Sequence, residues 1–230
     1  MIYRSAVVLT TGLMTFGLAA AQAADLSFAT PEGLFRLGEA EERQPLVVST
    51  DRAVSAMDWS SDGRRLAVVQ NYGEVYRLDS DADTPELVFT STCQSSPTLD
   101  LVWQNDGDLV ILQRCPSSSA EAMDSVELFL STPAGALTPL NILPGSLESD
   151  AYLAPDGSQV AYVTGQHIFV AALDGSRPQR LTQTPGTYGA AGSPLAWSPD
   201  GTRLAFYEGS YPFQTLNVVG VDGGDRRVLT

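Results

Sequence analysis

Apolar residues in this chain gather in quartets rather than alternating with polar ones. Leu66 to Val69, Leu109 to Leu112, Val160 to Val163 and Leu204 to Tyr207 each place four apolar residues in a row. A short unbroken run bounded by turn residues describes a strand covered on both faces, whereas alternation would describe a sheet wet on one side. An Asp-Gly pair stands ahead of every quartet, in "DWSSDGRRLAVV" (58–69), "VWQNDGDLVIL" (102–112), "YLAPDGSQVAYV" (152–163) and "AWSPDGTRLAFY" (196–207). Their glycines, Gly63, Gly107, Gly157 and Gly201, follow one another at steps of 44, 50 and 44 residues. Four residues before each glycine come Trp59, Trp103, Leu153 and Trp197, so all 3 tryptophans of the chain fill one slot of a repeat.

The turn residues have local reasons. Asp62, Asp106, Asp156 and Asp200 can accept hydrogen bonds from the backbone N–H groups of a tight turn, and the glycine after each tolerates the positive φ that the turn needs. A third strand is predicted at 74–78, 126–130, 167–171 and 216–220, and a shorter fourth at 87–90, 137–140, 179–182 and 227–230. Four antiparallel strands per unit of roughly 40 to 50 residues predict an all-β fold, a β-propeller of four-stranded blades. The blades fall at about 54–90, 98–140, 149–182 and 193–230, and no useful stretch of helical period interrupts them. "GLFRL" (33–37) and "PLVVST" (45–50) read as the last two strands of a half blade over 26–50. Because a fourth strand closes the sequence and leaves that half blade without a complement, the ring is expected to be incomplete. A fragment of a larger ring fits this pattern best, with an open or unusually small ring as the alternative.

These phrases resemble the WD40-like propeller repeat of the TolB family and of the N-terminal propellers of prolyl oligopeptidase-type and dipeptidyl peptidase-type enzymes. The hallmark of that repeat is W-S-P-D-G, an apolar strand, a later D-x-D-G-type turn and R-x-L-T. The likeness is strongest over 194–230, good over 56–78 and 152–182, and worn over 99–140, where Gln104-Asn105 replaces Ser-Pro. TolB proteins are periplasmic and carry an additional N-terminal α/β domain, for which no room is expected here. The resemblance implies either an interaction propeller of the cell envelope or the accessory, substrate-gating propeller of a serine peptidase whose catalytic domain lies elsewhere.

The first residues follow a different pattern. Arg4, an apolar small-residue stretch over 6–21 and Ala21-Gln22-Ala23 have the layout of a secretory signal peptide over 1–23. The propeller domain would then occupy 24–230, with no transmembrane span in the mature chain and a periplasmic or secreted location; an uncleaved anchor is the alternative. The formal charge is −14, from 13 basic and 27 acidic residues, and every basic residue is arginine. Removing Arg4 with the leader makes it −15. Such a field repels phosphate backbones, so nucleic acid is excluded as a partner. The absence of lysine excludes Schiff-base chemistry and a P-loop.

Candidate chemistry is sparse. Cys93 and Cys115, in an oxidising compartment, are expected to form a structural disulfide, a redox or metal role being the alternative. "DSDAD" (79–83) begins like a calcium loop, but Thr84 and Thr90 stand where glycine and glutamate are needed, which makes an acidic solvated turn the better reading. His167 is the only histidine, and no G-x-S-x-G elbow occurs. No catalytic, metal or cofactor site is therefore predicted. Tyr207, Tyr211 and Phe213 put aromatics in or beside a loop, where they either anchor a protein or cell-envelope partner or cover a blade rim. Function is expected on the face of the long loops (91–98, 113–124, 141–150, 183–194 and 207–215), opposite the tight Asp-Gly turns. A sugar-binding or lyase-type propeller is a third, weaker possibility.

Overall fold

The computed structural model describes residues 7–8, 26–30, 33–37, 43–46, 54–71, 73–79, 84–93, 97–117, 124–144, 147, 151–174, 176, 178–183, 185–186, 188, 195–209 and 213–229. The chain divides into two compact units, Met1–Thr92 and Cys93–Thr230.

The first unit holds two four-stranded sheets. One is ordered β1 (Val7–Val8), β2 (Leu26–Thr30), β3 (Gly33–Leu37) and β4 (Arg43–Leu46). Where a two-stranded half blade was expected, β2 pairs antiparallel with β3, and β1 adds a short parallel edge. The rest of the predicted leader lies outside the described residues. The other sheet, blade one, is β5 (Val54–Trp59), β6 (Arg65–Gln70), β7 (Glu74–Asp79) and β8 (Glu86–Thr90) in sequential antiparallel order. Met57, Trp59, Leu66 and Val68 form its buried cluster, with Val54 and Leu78 packed around them.

The second unit holds three more sequential antiparallel blades. Blade two is β9 (Thr98–Trp103), β10 (Leu109–Cys115), β11 (Ser125–Ser131) and β12 (Leu137–Leu140). Blade three is β13 (Tyr152–Leu153), β14 (Gln159–Thr164), β15 (His167–Ala172) and β16 (Gln179–Arg180). Blade four is β17 (Ala196–Trp197), β18 (Arg203–Glu208), β19 (Thr215–Gly220) and β20 (Arg227–Val228). The predicted fourth strands of blades three and four are shorter than expected, because Thr182 and Leu229 lie past the ladder.

The blades of this unit stack face against face. Val110, Leu112 and Leu128 of blade two bury themselves against Ala151, Leu153, Val160, Tyr162 and Ala171 of blade three. Ala161, Val163, Ile168 and Val170 on the other side of blade three pack with Leu195, Leu204, Phe206 and Val219 of blade four. The connections add Leu147 to the first cluster and Tyr188 to the second. An unbroken quartet is what such stacking requires, because both faces of the second strand meet protein. Quartets 66–69, 109–112 and 160–163 are wholly buried. The fourth departs from expectation: Leu204 and Phe206 are buried, Ala205 is half-buried and Tyr207 is exposed.

Candidate functional site

At one end of each repeating blade lies the Asp-Gly turn between its first and second strands. Gly63, Gly107, Gly157 and Gly201 all adopt positive φ, between 66° and 91°. Each closes the turn by donating its N–H to the carbonyl three residues earlier, at 2.8 to 3.0 Å. The preceding aspartate accepts from the N–H two residues on, as Asp62 does from Arg64 at 3.0 Å, Asp106 from Asp108 at 3.1 Å, Asp156 from Ser158 at 3.0 Å and Asp200 from Thr202 at 3.0 Å. In blades one and four a serine completes the set. Ser60 and Ser198 donate through Oγ to Asp62 and Asp200 and accept from the N–H of Arg65 and Arg203. Hydrogen bonds from the Ser198 and Thr202 side chains hold the Asp200 carboxyl down at about 2, and the Ser60 hydroxyl lowers Asp62 in the same way. These groups are engaged in shaping the turn, which leaves this end of the blade with little to offer a ligand.

The opposite end carries the longer segments. β10 continues through Cys115 and β18 through Glu208, so the second-to-third loops shrink from the expected 113–124 and 207–215 to 116–124 and 209–214. In blade three this connection is only Gly165-Gln166, both at positive φ. Blade four is different. Phe213 is 86% exposed, the largest value among the exposed large apolar residues that are described, and Tyr207 on the adjoining strand is 39% exposed. Gly209 adopts φ 100° and lies close to Phe213: a Cβ there would come within 3.0 Å of the Phe213 carbonyl oxygen. Tyr211, the third predicted anchor, lies outside the described residues.

Beneath this loop is a polar network that the sequence reading did not single out. Glu208 accepts from the Tyr188 hydroxyl at 2.9 Å and from Arg226 Nη2. Arg226 also donates to Asn217 Oδ1, at 3.1 Å from Nη2, and lies 5.7 Å from the centre of the Phe206 ring. Glu208 is the first residue after the fourth quartet, and Gln70, Gln113 and Thr164 follow the other three. The first polar residue after each apolar run was the available clue. Gln113 is fully buried and donates from Nε2 to Glu127 at 2.9 Å; among the described residues no donor reaches its Oε1.

Cys93 and Cys115 form a disulfide with Cα atoms 5.4 Å apart, tying the segment that enters blade two to the end of β10. His167 Nδ1 lies 3.2 Å from Thr182 Oγ1, which also accepts from the N–H of Ile168 at 3.1 Å, so the histidine belongs to the closure of blade three. Desolvation raises the pKa of the Asp100 carboxyl on the edge strand β9, against the lowering effect of the Leu101 N–H at 3.0 Å. Among the described residues no three His, Cys, Asp or Glu side chains converge as metal ligands. Of the acidic run 79–83 only Asp79 is described, and it pairs with Arg65 at 3.7 Å. No helix among the described residues is long and apolar enough to cross a membrane.

Comparison with known proteins agrees with this architecture. Residues 130–209 match the family described as the dipeptidyl peptidase IV N-terminal region. Among solved structures, an oligogalacturonate lyase in complex with manganese aligns at a TM-score of 0.65 and 14% identity, over 86% of this chain and 58% of the lyase. Dipeptidyl peptidase 4 of Porphyromonas gingivalis aligns at 0.58 and 15% identity, over 86% of this chain and 35% of the peptidase. TolB of Acinetobacter baumannii aligns at 0.53 and 16% identity, over 89% of this chain and 51% of TolB. Nothing among curated proteins matches the chain. At these identities the likeness establishes the fold alone: the chain is built of β-propeller blades.

Proposed function

We propose that this β-propeller module is an exported, non-enzymatic binding protein that holds a protein or cell-envelope partner on the end of its blades opposite the Asp-Gly turns. The observation that carries this reading is Phe213, an aromatic ring 86% exposed in the connection between β18 and β19. An exposed aromatic ring anchors a partner by offering a large apolar area for burial. Tyr207 on the adjoining strand would extend the contact. Export rests on the leader pattern, and the negative charge speaks against nucleic acid and anionic lipid as partners.

The test compares the mature chain with its Phe213→Ala variant as bait against solubilised cell-envelope protein. Partners retained by the parent should be lost from the variant, with the thermal midpoint of the variant within about 1 °C of the parent, because a side chain this exposed contributes little to stability. Equal retention by both proteins would overturn the reading.

A second reading is favoured by the match of 130–209 to the dipeptidyl peptidase IV N-terminal region. In it the module is the accessory propeller of a serine peptidase and gates substrate. That reading expects a partner that reacts with a fluorophosphonate probe to be retained by the bait, and the first reading expects none.

A further inference from the structure

Six Asp-Gly pairs stand in this chain, with aspartates at 62, 106, 156, 174, 200 and 222. The pair is chemically labile, because glycine has no Cβ to shield its backbone nitrogen from the aspartate side chain before it. When that nitrogen bonds to the aspartate Cγ, the carboxyl hydroxyl and the nitrogen's proton leave together as water, and a succinimide ring remains. Water then opens the ring. Attack at the side-chain carbonyl restores aspartate; attack at the main-chain carbonyl leaves the chain running through the side chain, as an isoaspartyl link. Water is the only other reactant.

A folded turn opposes this reaction at both atoms. The nitrogens are engaged alike: Gly63, Gly107, Gly157, Gly201 and Gly223 each donate to the carbonyl three residues earlier, at 2.8 to 3.0 Å. The carboxylates are not. Asp200 accepts from Ser198 Oγ at 2.6 Å, Thr202 Oγ1 at 2.7 Å and the Thr202 N–H at 3.0 Å. Asp62 and Asp156 each have one hydroxyl donor, Ser60 and Ser158, both at 2.7 Å. Asp174, in the turn from the third to the fourth strand of blade three, accepts the Ser176 N–H at 2.8 Å, and the Ser176 hydroxyl joins in lowering its pKa. A carboxylate held in this way is kept off the nitrogen and kept ionised, and an ionised carboxylate is slow to expel oxygen.

Asp222 occupies the equivalent turn of blade four, with Gly224 in place of Ser176. Among the described residues it accepts only the Gly224 N–H, at 2.9 Å. Asp106 likewise has a single backbone donor, Asp108, but its hairpin is tied by six residue pairs between β9 and β10. The strand after Asp222 is held by two, Asn217 with Val228 and Val218 with Arg227. A ladder that short opens at low cost, which frees the nitrogen.

We propose that Asp222 is a modification site, where the main chain rearranges spontaneously through a succinimide to an isoaspartyl link, while the hydroxyl-guarded Asp62, Asp156, Asp174 and Asp200 stay intact. The rearranged link adds one methylene to the main chain ahead of Arg226, the residue that donates to Glu208 and Asn217. Position 224 can accept a guard. A Cβ at Gly224 would lie 3.2 Å from Asp222 Oδ1 and 3.5 Å from Oδ2, which brings a serine hydroxyl within reach of the carboxylate.

The experiment incubates the full chain warm in heavy-oxygen water and reads its peptides by electron-transfer fragmentation, which tells isoaspartate from aspartate. Each ring opening leaves one heavy oxygen on the residue, whichever link results. Entry at Asp222 should exceed entry at Asp200 roughly tenfold, the factor that one further hydrogen bond to the unreacted carboxylate supplies. Gly224→Ser should slow Asp222 and leave Asp200 unchanged, whereas Ser198→Ala combined with Thr202→Ala should speed Asp200. In urea the two sites should converge, since the unfolded chain has lost its guards. Equal entry at Asp222 and Asp200 in the folded protein would refute the proposal. So would a Gly224→Ser variant reacting at the parent rate, or a difference between the sites that persists in urea.

Discussion

Gly157 and Gly201 occupy equivalent turns at nearly the same positive φ, 66° and 68°, but their surroundings differ. A Cβ at Gly201 would meet nothing within 4 Å, whereas one at Gly157 would lie 3.0 Å from Gln104 Cγ and 3.3 Å from Val102 of blade two. Gln104 Nε2 also donates to the Gly157 carbonyl at 2.6 Å. Gly201→Ala should therefore cost only the left-handed conformation, about 1 to 2 kcal/mol. Gly157→Ala should cost that and a further 1 to 3 kcal/mol or so for forcing the blades apart. Urea denaturation of the two variants reads the difference directly. Asp200 offers a second test at this scale. Its folded carboxyl is lowered from the ordinary 3.8 to about 2, so the stability it contributes is fully present above about pH 4 and is lost as pH falls toward 2. The thermal midpoint of Asp200→Asn should consequently fall less steeply than that of the parent across this window, and parallel profiles would refute the assignment.

Among elements, the predicted strands and the observed ones agree closely because their boundaries are written in local chemistry. Asp-Gly pairs set where a hairpin turns, and the quartets set which strand lies between neighbours. Beyond the two unexpected strands β1 and β2, disagreement within the four repeat blades is confined to ends: β10 and β18 run on into their loops, since Gln113 to Cys115 and Glu208 are polar or mixed in pattern yet keep pairing with the third strand. The disulfide acts at this same scale. Closing Cys93 to Cys115, 22 residues apart, restricts the unfolded chain around β9 and β10. Replacing both cysteines by serine should lower the free energy of unfolding by roughly 3 kcal/mol, on the loop-closure account. Chemical denaturation measures it, and a change near zero would show that the bond constrains nothing the unfolded chain explores.

For the molecule as a whole, repetition made the architecture legible. Three tryptophans in one slot and four Asp-Gly turns are a periodic feature that holds however the blades are arranged, because each residue acts within its own hairpin. The aromatic anchor was legible only in part: the sequence placed Tyr207 and Phe213 near a loop, but their different positions, one on a sheet face and one on a loop, depend on strand register. How far each quartet is buried was not legible at all. The quartet Leu204 to Tyr207 looks like the other three along the chain, and burial is decided by what packs against it.

Local order in this protein, meaning turns, strands and their grouping into blades, follows from the amino-acid sequence alone, since backbone hydrogen bonding and φ preference act over a few residues. Contacts between blades were decided only in the tertiary structure. The donation from Trp197 to Tyr152 and the close approach at Gly157 each join residues of different blades, and only stacking determines which surfaces meet.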